Sequence, residues 1–244
     1  MRKRKILAIG LVITLIVGIC NCNQMETVKA ASIEKQIQII VDNEQIWLDE
    51  STDLDPWDDM HYAITDLNQD GRLELIVTTG TIGSGAFTYS DFYQIDKTQK
   101  KLVKCKMSEN YALPDLYQKQ CKVYYDKSKN TYNYLFYDGI GGAMPGCGRE
   151  EGFFRISGNS VKLTNIRGIY VRYNKKKKKT VKTYYKYVNG KQKDTTKKGY
   201  KKAMKKAIRN KECKKASFQW VRLSKKDKDY TKKFKKSYQG FRIS

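Results

Sequence analysis

The chain of 244 residues carries 49 lysines and arginines against 25 aspartates and glutamates, a formal net charge of +24, with six cysteines and a single histidine. No Cys-x-x-Cys pair and no Cys/His spacing is present, which excludes a zinc site of the usual kinds. The charge speaks about partners rather than fold, and it is unevenly spread: residues 31–170 hold 15 basic and 20 acidic side chains, whereas residues 171–244 hold 29 and 4.

Arg2, Lys3, Arg4 and Lys5 precede an uncharged apolar run over 6–19, and Val28 and Ala30 suit the −3 and −1 positions of a signal peptidase site. Residues 1–30 therefore read as a signal peptide. The protein is expected to be secreted or extracellular and associated with the cell wall, the alternative being an uncleaved N-terminal membrane anchor. Cys20 and Cys22 lack a lipobox, since Ile19 and Asn21 stand where a small residue belongs. In the exported part, Cys105, Cys121, Cys147 and Cys213 permit two disulfides in three connectivities, or four free thiols.

Ser32 caps a helix over 33–43 whose face is Ile33, Ile37, Ile40 and Val41, and an acidic loop broken by Pro56 follows over 49–59. Four short strands are then expected over 62–66, 73–79, 89–96 and 102–106. Between the first two lies Asp66-Leu-Asn-Gln-Asp-Gly-Arg-Leu-Glu74. Asp66, Asn68 and Asp70 place side-chain oxygens at alternate positions, Gly71 permits the turn, the Arg72 carbonyl adds a fourth oxygen, and Glu74 supplies a carboxylate from position nine. That is the chemistry of a calcium loop. An EF-hand would carry glutamate at position twelve, where Val77 stands, and the flanks are strand-like.

The layout returns 60 residues on, with Asp126, Ser128, Asn130 and Leu135 standing on Asp66, Asn68, Asp70 and Leu75, which points to an internal duplication. In the second copy Gly71 becomes Thr131 and Glu74 becomes Tyr134, and no metal is expected there. Each copy has a glycine-rich link, over 80–85 and 139–142, neither of which opens a helix that could cradle a phosphate. The basic end reads as two strands joined by a tip of Lys175, Lys176, Lys177, Lys178 and Lys179, a helix over 197–210 capped by Thr196, a strand over 218–223, and an amphipathic helix carrying Tyr230, Phe234 and Tyr238 among Lys232, Lys233, Lys235 and Lys236.

The expected fold is mainly β with minor α: two blade-like antiparallel β-meander repeats, an N-terminal helix and a basic C-terminal strand and helix region. The divisions are 1–30 signal peptide, 31–60 helix and acidic loop, 61–108 first repeat, 109–168 second repeat, and 169–244 the lysine-rich end.

The string H-Y-A-I-T-D-L-N-Q-D-G-R-L-E-L-I-V, followed by T-G-T-I-G-S-G and T-Y-S-D-F-Y, resembles secreted Firmicutes proteins built on FG-GAP/VCBS-like repeats. The resemblance covers about residues 33–165. It implies integrin-type propeller-blade sheets joined by calcium loops, with ligands at Asp66, Asn68, Asp70, the Arg72 carbonyl and Glu74. Two copies do not close a propeller of four to eight blades. A dockerin, the competing calcium family, needs helices where this sequence has strands.

These readings point to a monomeric, non-catalytic extracellular module with structural Ca2+. Its lysine-rich end, through Lys175 to Lys179 and Lys232, Lys233, Lys235 and Lys236, would meet an anionic cell-envelope or extracellular polymer. Peripheral contact with lipid head groups would use the same charge, and no nucleic-acid recognition module is visible. The alternative is a secreted hydrolase using paired carboxylates drawn from Asp53 to Asp59, Asp91 or Glu150 and Glu151. His61 reads as an ordinary half-buried residue.

Overall fold

The computed structural model describes residues 32–48, 60–79, 89–107, 113–114, 116, 119–140, 146–224, 226–227 and 229–244. The segment 1–30 expected to be a signal peptide, the acidic loop with Asp53 to Asp59, the link over 80–85 and residues 141–142 of the link over 139–142 lie outside them. Strand outweighs helix, 51% against 21%, and the fold is mainly β as the sequence patterning requires.

Helix α1 (Ile33–Asp42) starts at Ser32, whose hydroxyl accepts from the Lys35 amide at 3.3 Å, and the short α2 (Glu44–Leu48) follows. Strands β1 (Met60–Thr65), β2 (Glu74–Thr79), β3 (Tyr89–Ile95) and β4 (Leu102–Lys104) form an antiparallel meander. After β5 (Lys106–Met107), β6 (Leu113–Pro114) adds to β3. A second meander runs through β7 (Gln120–Asp126), β8 (Thr131–Ile140), β9 (Gly146–Ile156) and β10 (Ser160–Asn174), and continues without a break into β11 (Lys179–Val188) and β12 (Lys191–Thr195). The position 168/169 is thus mid-strand, and the lysine hairpin is an extension of the second sheet. Helix α3 (Lys197–Ala207), strand β13 (Glu212–Ser217), helix α4 (Thr231–Gly240) and β14 (Arg242–Ile243) complete the chain.

The two sheets lie face to face. Ala63, Ile76 and Phe92 of the first pack with Val123, Tyr134, Phe136, Phe154 and Val161 of the second in one core. The opposite face of the first sheet, with Tyr62, Ile64, Leu75, Val77, Tyr93 and Ile95, is covered by Ile37, Ile40 and Trp47 and by Phe234 of α4. Covered on both sides, β1 is buried at all six positions, His61 and Thr65 included, which explains why its residues do not alternate apolar with solvated. The outer face of the second sheet, with Tyr124, Leu135, Phe153 and Ile166, carries α3 through Met204. The order of layers is helices, sheet, sheet, helix.

Two details differ from the sequence patterning, and a third settles an alternative that it left open. The strand expected at 218–223 is replaced by β13, six residues earlier, which pairs with the edge of β7. Of the aromatic stretch beyond it only Val221 bridges, to Tyr62. A lysine-containing segment makes this strand because its backbone completes an open sheet edge while Ala216 enters the core and Glu212, Cys213 and Lys215 stay exposed. The turn between β7 and β8 spans only 127–130, against 66–73 in the first meander, so the two loops do not superpose residue for residue although the strand order does. The four cysteines Cys105, Cys121, Cys147 and Cys213 are free thiols.

Candidate functional site

The loop between β1 and β2 is built on side-chain to backbone bonds. One Asp66 oxygen accepts from the Asp70 amide at 3.0 Å and the other from the Gly71 amide at 3.1 Å, while Asn68 accepts from the Asp70 amide at 3.2 Å. Gln69 and Gly71 take φ of 57° and 81°, and the glycine pays little strain for that bend. Asp70 accepts from Asn68 Nδ2 at 2.9 Å and from the Arg72 amide at 3.0 Å, and the Arg72 guanidinium lies 2.6 Å from its second oxygen.

Glu74 occupies a different position from the other three. It is fully buried, and its carboxylate accepts from the Leu67 amide at 2.7 Å, the Thr65 hydroxyl at 3.3 Å and Gln94 Nε2 at 2.8 Å. It braces the base of the loop, and what it shares with Asp66 and Asp70 is electrostatic repulsion. Burial pushes the Asp66 carboxyl up to about 6, with Asp70 adding to the rise, and burial followed by Asp66 holds Glu74 well above the usual carboxylate range.

Three residues that sequence reasoning passed over clamp the loop from outside. Gln36 of α1, fully buried, donates to the Gly71 carbonyl at 2.9 Å and accepts from the Leu73 amide at 2.8 Å. Gln94 of β3 holds Glu74. Tyr134 of β8 donates across the sandwich to the Leu67 carbonyl at 2.6 Å. The only signal of these roles was polar residues at apolar-phase positions of a helix and two strands.

Among the described residues no three or more His, Cys, Asp or Glu side chains are gathered as a metal site. What the loop could offer a hard divalent cation is oxygen from Asp66, Asn68 and Asp70, while the local positive charge, Arg72, engages Asp70 and also donates to the Ile95 carbonyl at 3.3 Å. Asp66, Asn68 and Asp70 would hold the ion with the Arg72 guanidinium displaced, and Glu74 would act as a ligand or as the charge behind the ligands.

The lysines named from the sequence fall into two separate groups. Lys175 to Lys179 are exposed at the tip joining β10 to β11, where Asn174 accepts from the Lys177 amide at 2.9 Å and Lys178 takes a positive φ of 46°. On α4, Lys232 and Lys236 are exposed. Lys233 is paired with Asp227 and donates to the Arg222 carbonyl at 2.8 Å. Lys235 is half-buried. The aromatic stripe of α4 faces inward: Phe234 has no exposed area and packs edge-on against Trp47 with ring centroids 5.7 Å apart.

Of the carboxylates considered for hydrolysis, Glu150 and Glu151 point to opposite faces of β9. Glu151 is buried and paired with Arg167 and Arg149, and Tyr200 donates to it at 3.2 Å. Glu150 accepts from the hydroxyls of Tyr185 and Tyr187 at 2.9 and 2.6 Å and pairs across strands with Asp138. His61 is buried on β1 and accepts from Arg222 Nε at 3.0 Å.

No family model matches the chain, and no curated protein does. Among solved structures, a Xanthomonas type IV secretion system related protein is similar over 55% of this chain and 56% of its own, about half its length, at 17% identity and a TM-score of 0.32. A likeness at that level carries no argument about function. Among the described residues no helix is long and apolar enough to cross a membrane.

Proposed function

We propose that the protein is a secreted or cell-surface, non-catalytic module in which calcium, bound by Asp66, Asn68 and Asp70 with Glu74 behind them, orders the first sheet, and whose basic C-terminal region holds it to an anionic polymer. One observation carries the calcium half: mutually repelling carboxylates sit in a loop that Gln36, Gln94 and Tyr134 hold in place. Glu151 is engaged by Arg167 and Arg149, Glu150 by the hydroxyls of Tyr185 and Tyr187, and the two point to opposite faces of β9, so they do not form a facing pair, which favours this reading over the hydrolase.

The test is thermal unfolding at pH 5 and pH 7.5, with chelator and with millimolar calcium, alongside calorimetric titration. Asp66 and Glu74 have folded pKa values raised above their unfolded ones. Their stabilising contribution is present below the ordinary carboxylate range and is lost as pH rises through about 6 and beyond. Asp96 and Asp227, whose carboxyls are lowered, are already ionised at pH 5 and drop out of the difference. In chelator the protein should therefore be less stable at pH 7.5 by on the order of 2 kcal/mol. Calcium binds the ionised carboxylates and should reverse that order by mass action. No heat on titration, together with an unchanged melting temperature, would remove the calcium reading.

A further inference from the structure

We infer that the contact with an anionic polymer is made in a cleft between α3 and the outer face of the second sheet, and that the ligand is a phosphodiester-linked polyol chain. This rests on the reading that the basic end binds a polyanion, and it moves the contact away from the hairpin tip. Two adjacent hollows make up this face, and they share Thr164, Ile166, Ala207 and Lys211 as walls. At one end Lys129, Arg155, Lys162 and Lys211 line it, with Asp126 as the acidic residue. Along the helix the lining is Lys186, Lys202 and Lys206.

These charges come from five strands or turns and one helix, and β9, β10 and α3, which carry Arg155, Lys162, Lys202 and Lys206, are packed together in the Met204 core, so the spacing of those four is fixed by the fold. A tip of consecutive lysines on a two-stranded ribbon has no such anchorage. Helix α3 is 11 residues long, roughly 16 Å, so the cleft accommodates several consecutive anionic groups. Thr131, Asn133 and Thr164 add polar groups to the lining at the first end, and the buried Thr131 hydroxyl makes no hydrogen bond among the described residues.

The lining suits single-point contacts spaced along a chain. Lysine engages phosphate as a point charge, and the arginine fork, which grips carboxylate or phosphate bidentately, is present only at Arg155 among the cleft's cations. The rings that line the cleft are Phe153, buried beneath α3, and Tyr187, tied by its hydroxyl to Glu150. Single-stranded nucleic acid uses a different arrangement, a row of exposed aromatic faces.

The experiment compares the full chain with two triple variants of equal charge loss, Lys162→Gln/Lys202→Gln/Lys206→Gln in the cleft and Lys176→Gln/Lys177→Gln/Lys178→Gln at the tip. Binding to poly(glycerol phosphate), polygalacturonate and single-stranded oligothymidine is measured at two salt concentrations, with circular dichroism to establish folding. Loss of about tenfold or more for poly(glycerol phosphate) in the cleft variant, against about two- to threefold at the tip, is the expected result. Equal losses, or tighter binding of the carboxylate polymer or the oligonucleotide, overturn the cleft and its ligand class. A loss confined to the tip variant overturns the cleft while leaving polyanion binding by the basic end intact. No binding of any probe by the unaltered chain removes that broader reading as well.

Discussion

Replacing Glu74 with alanine is expected to lower stability in chelator by about 3 to 4 kcal/mol, because it leaves the Leu67 amide, the Gln94 amide group and the Thr65 hydroxyl facing a cavity at the centre of the first sheet. For a chain of this length that is a fall of roughly 6–16 °C in melting temperature. Glu74→Gln separates the two roles of the side chain. It keeps the shape and one acceptor, and since burial already favours the uncharged acid, the metal-free protein should tolerate it far better than alanine. In calcium the same variant loses a negative charge beside the ion, so the extra stability that calcium confers should shrink. Thermal unfolding of both variants with and without chelator reads this directly. An alanine variant as stable as the unaltered protein would show that Glu74 braces nothing.

Phe234→Ala should be comparably damaging, about 3–5 kcal/mol, since it empties a fully buried site bounded by Trp47 and Tyr62. Its effect has a location as well as a size. The last helix rests on the first sheet through that ring and through Ser237, whose hydroxyl accepts from the Ile64 amide at 3.0 Å and donates to the Gln219 carbonyl at 2.6 Å. Limited trypsin digestion should cut the variant at Lys232, Lys233, Lys235 and Lys236 well before the body of the protein. Resistance equal to that of the unaltered chain would mean that the helix is held by something other than its aromatic face. While docked, that face is buried against protein and is not presented to a bilayer.

Much of the fold was legible because it follows from local chemistry. Ser32 and Thr196 announce helices through their hydroxyls, and both cap as expected. The strands of the first meander fall where apolar and β-branched residues alternate with turn residues. The loop over 66–74 was legible for the same reason, its spacing being an instruction to its own backbone. What was not legible depends on partners distant in sequence. Glu212–Ser217 carries no strand pattern, and it becomes one because β7 has an open edge. Gln36 and Tyr134 look like misplaced polar residues until the loop they hold is brought beside them. At 218–223 the aromatic content signals burial without saying in which secondary structure, and the strand of the basic end forms at Glu212–Ser217 instead. The cleft beside α3 combines cations from positions 129 to 211, and no short motif could encode it.

The return of the C-terminal segment to both sheets governs the order in which the molecule can assemble. Val221 exchanges backbone hydrogen bonds of 2.9 Å with Tyr62, Ser237 reaches Ile64, and β13 closes the edge of β7. Chain synthesis runs the other way, so the Trp47 face and the β7 edge both wait uncovered until the final few tens of residues arrive. Contacts that far apart in sequence slow folding, because the loop must close before the contact repays it. A nascent chain halted before Glu212 would hold most of its core residues and still lack the cover on both, and the edge strand would be open to pairing with another chain. The high charge of the segment that arrives last would keep it solvated and unpaired until the two sheets are ready to receive it.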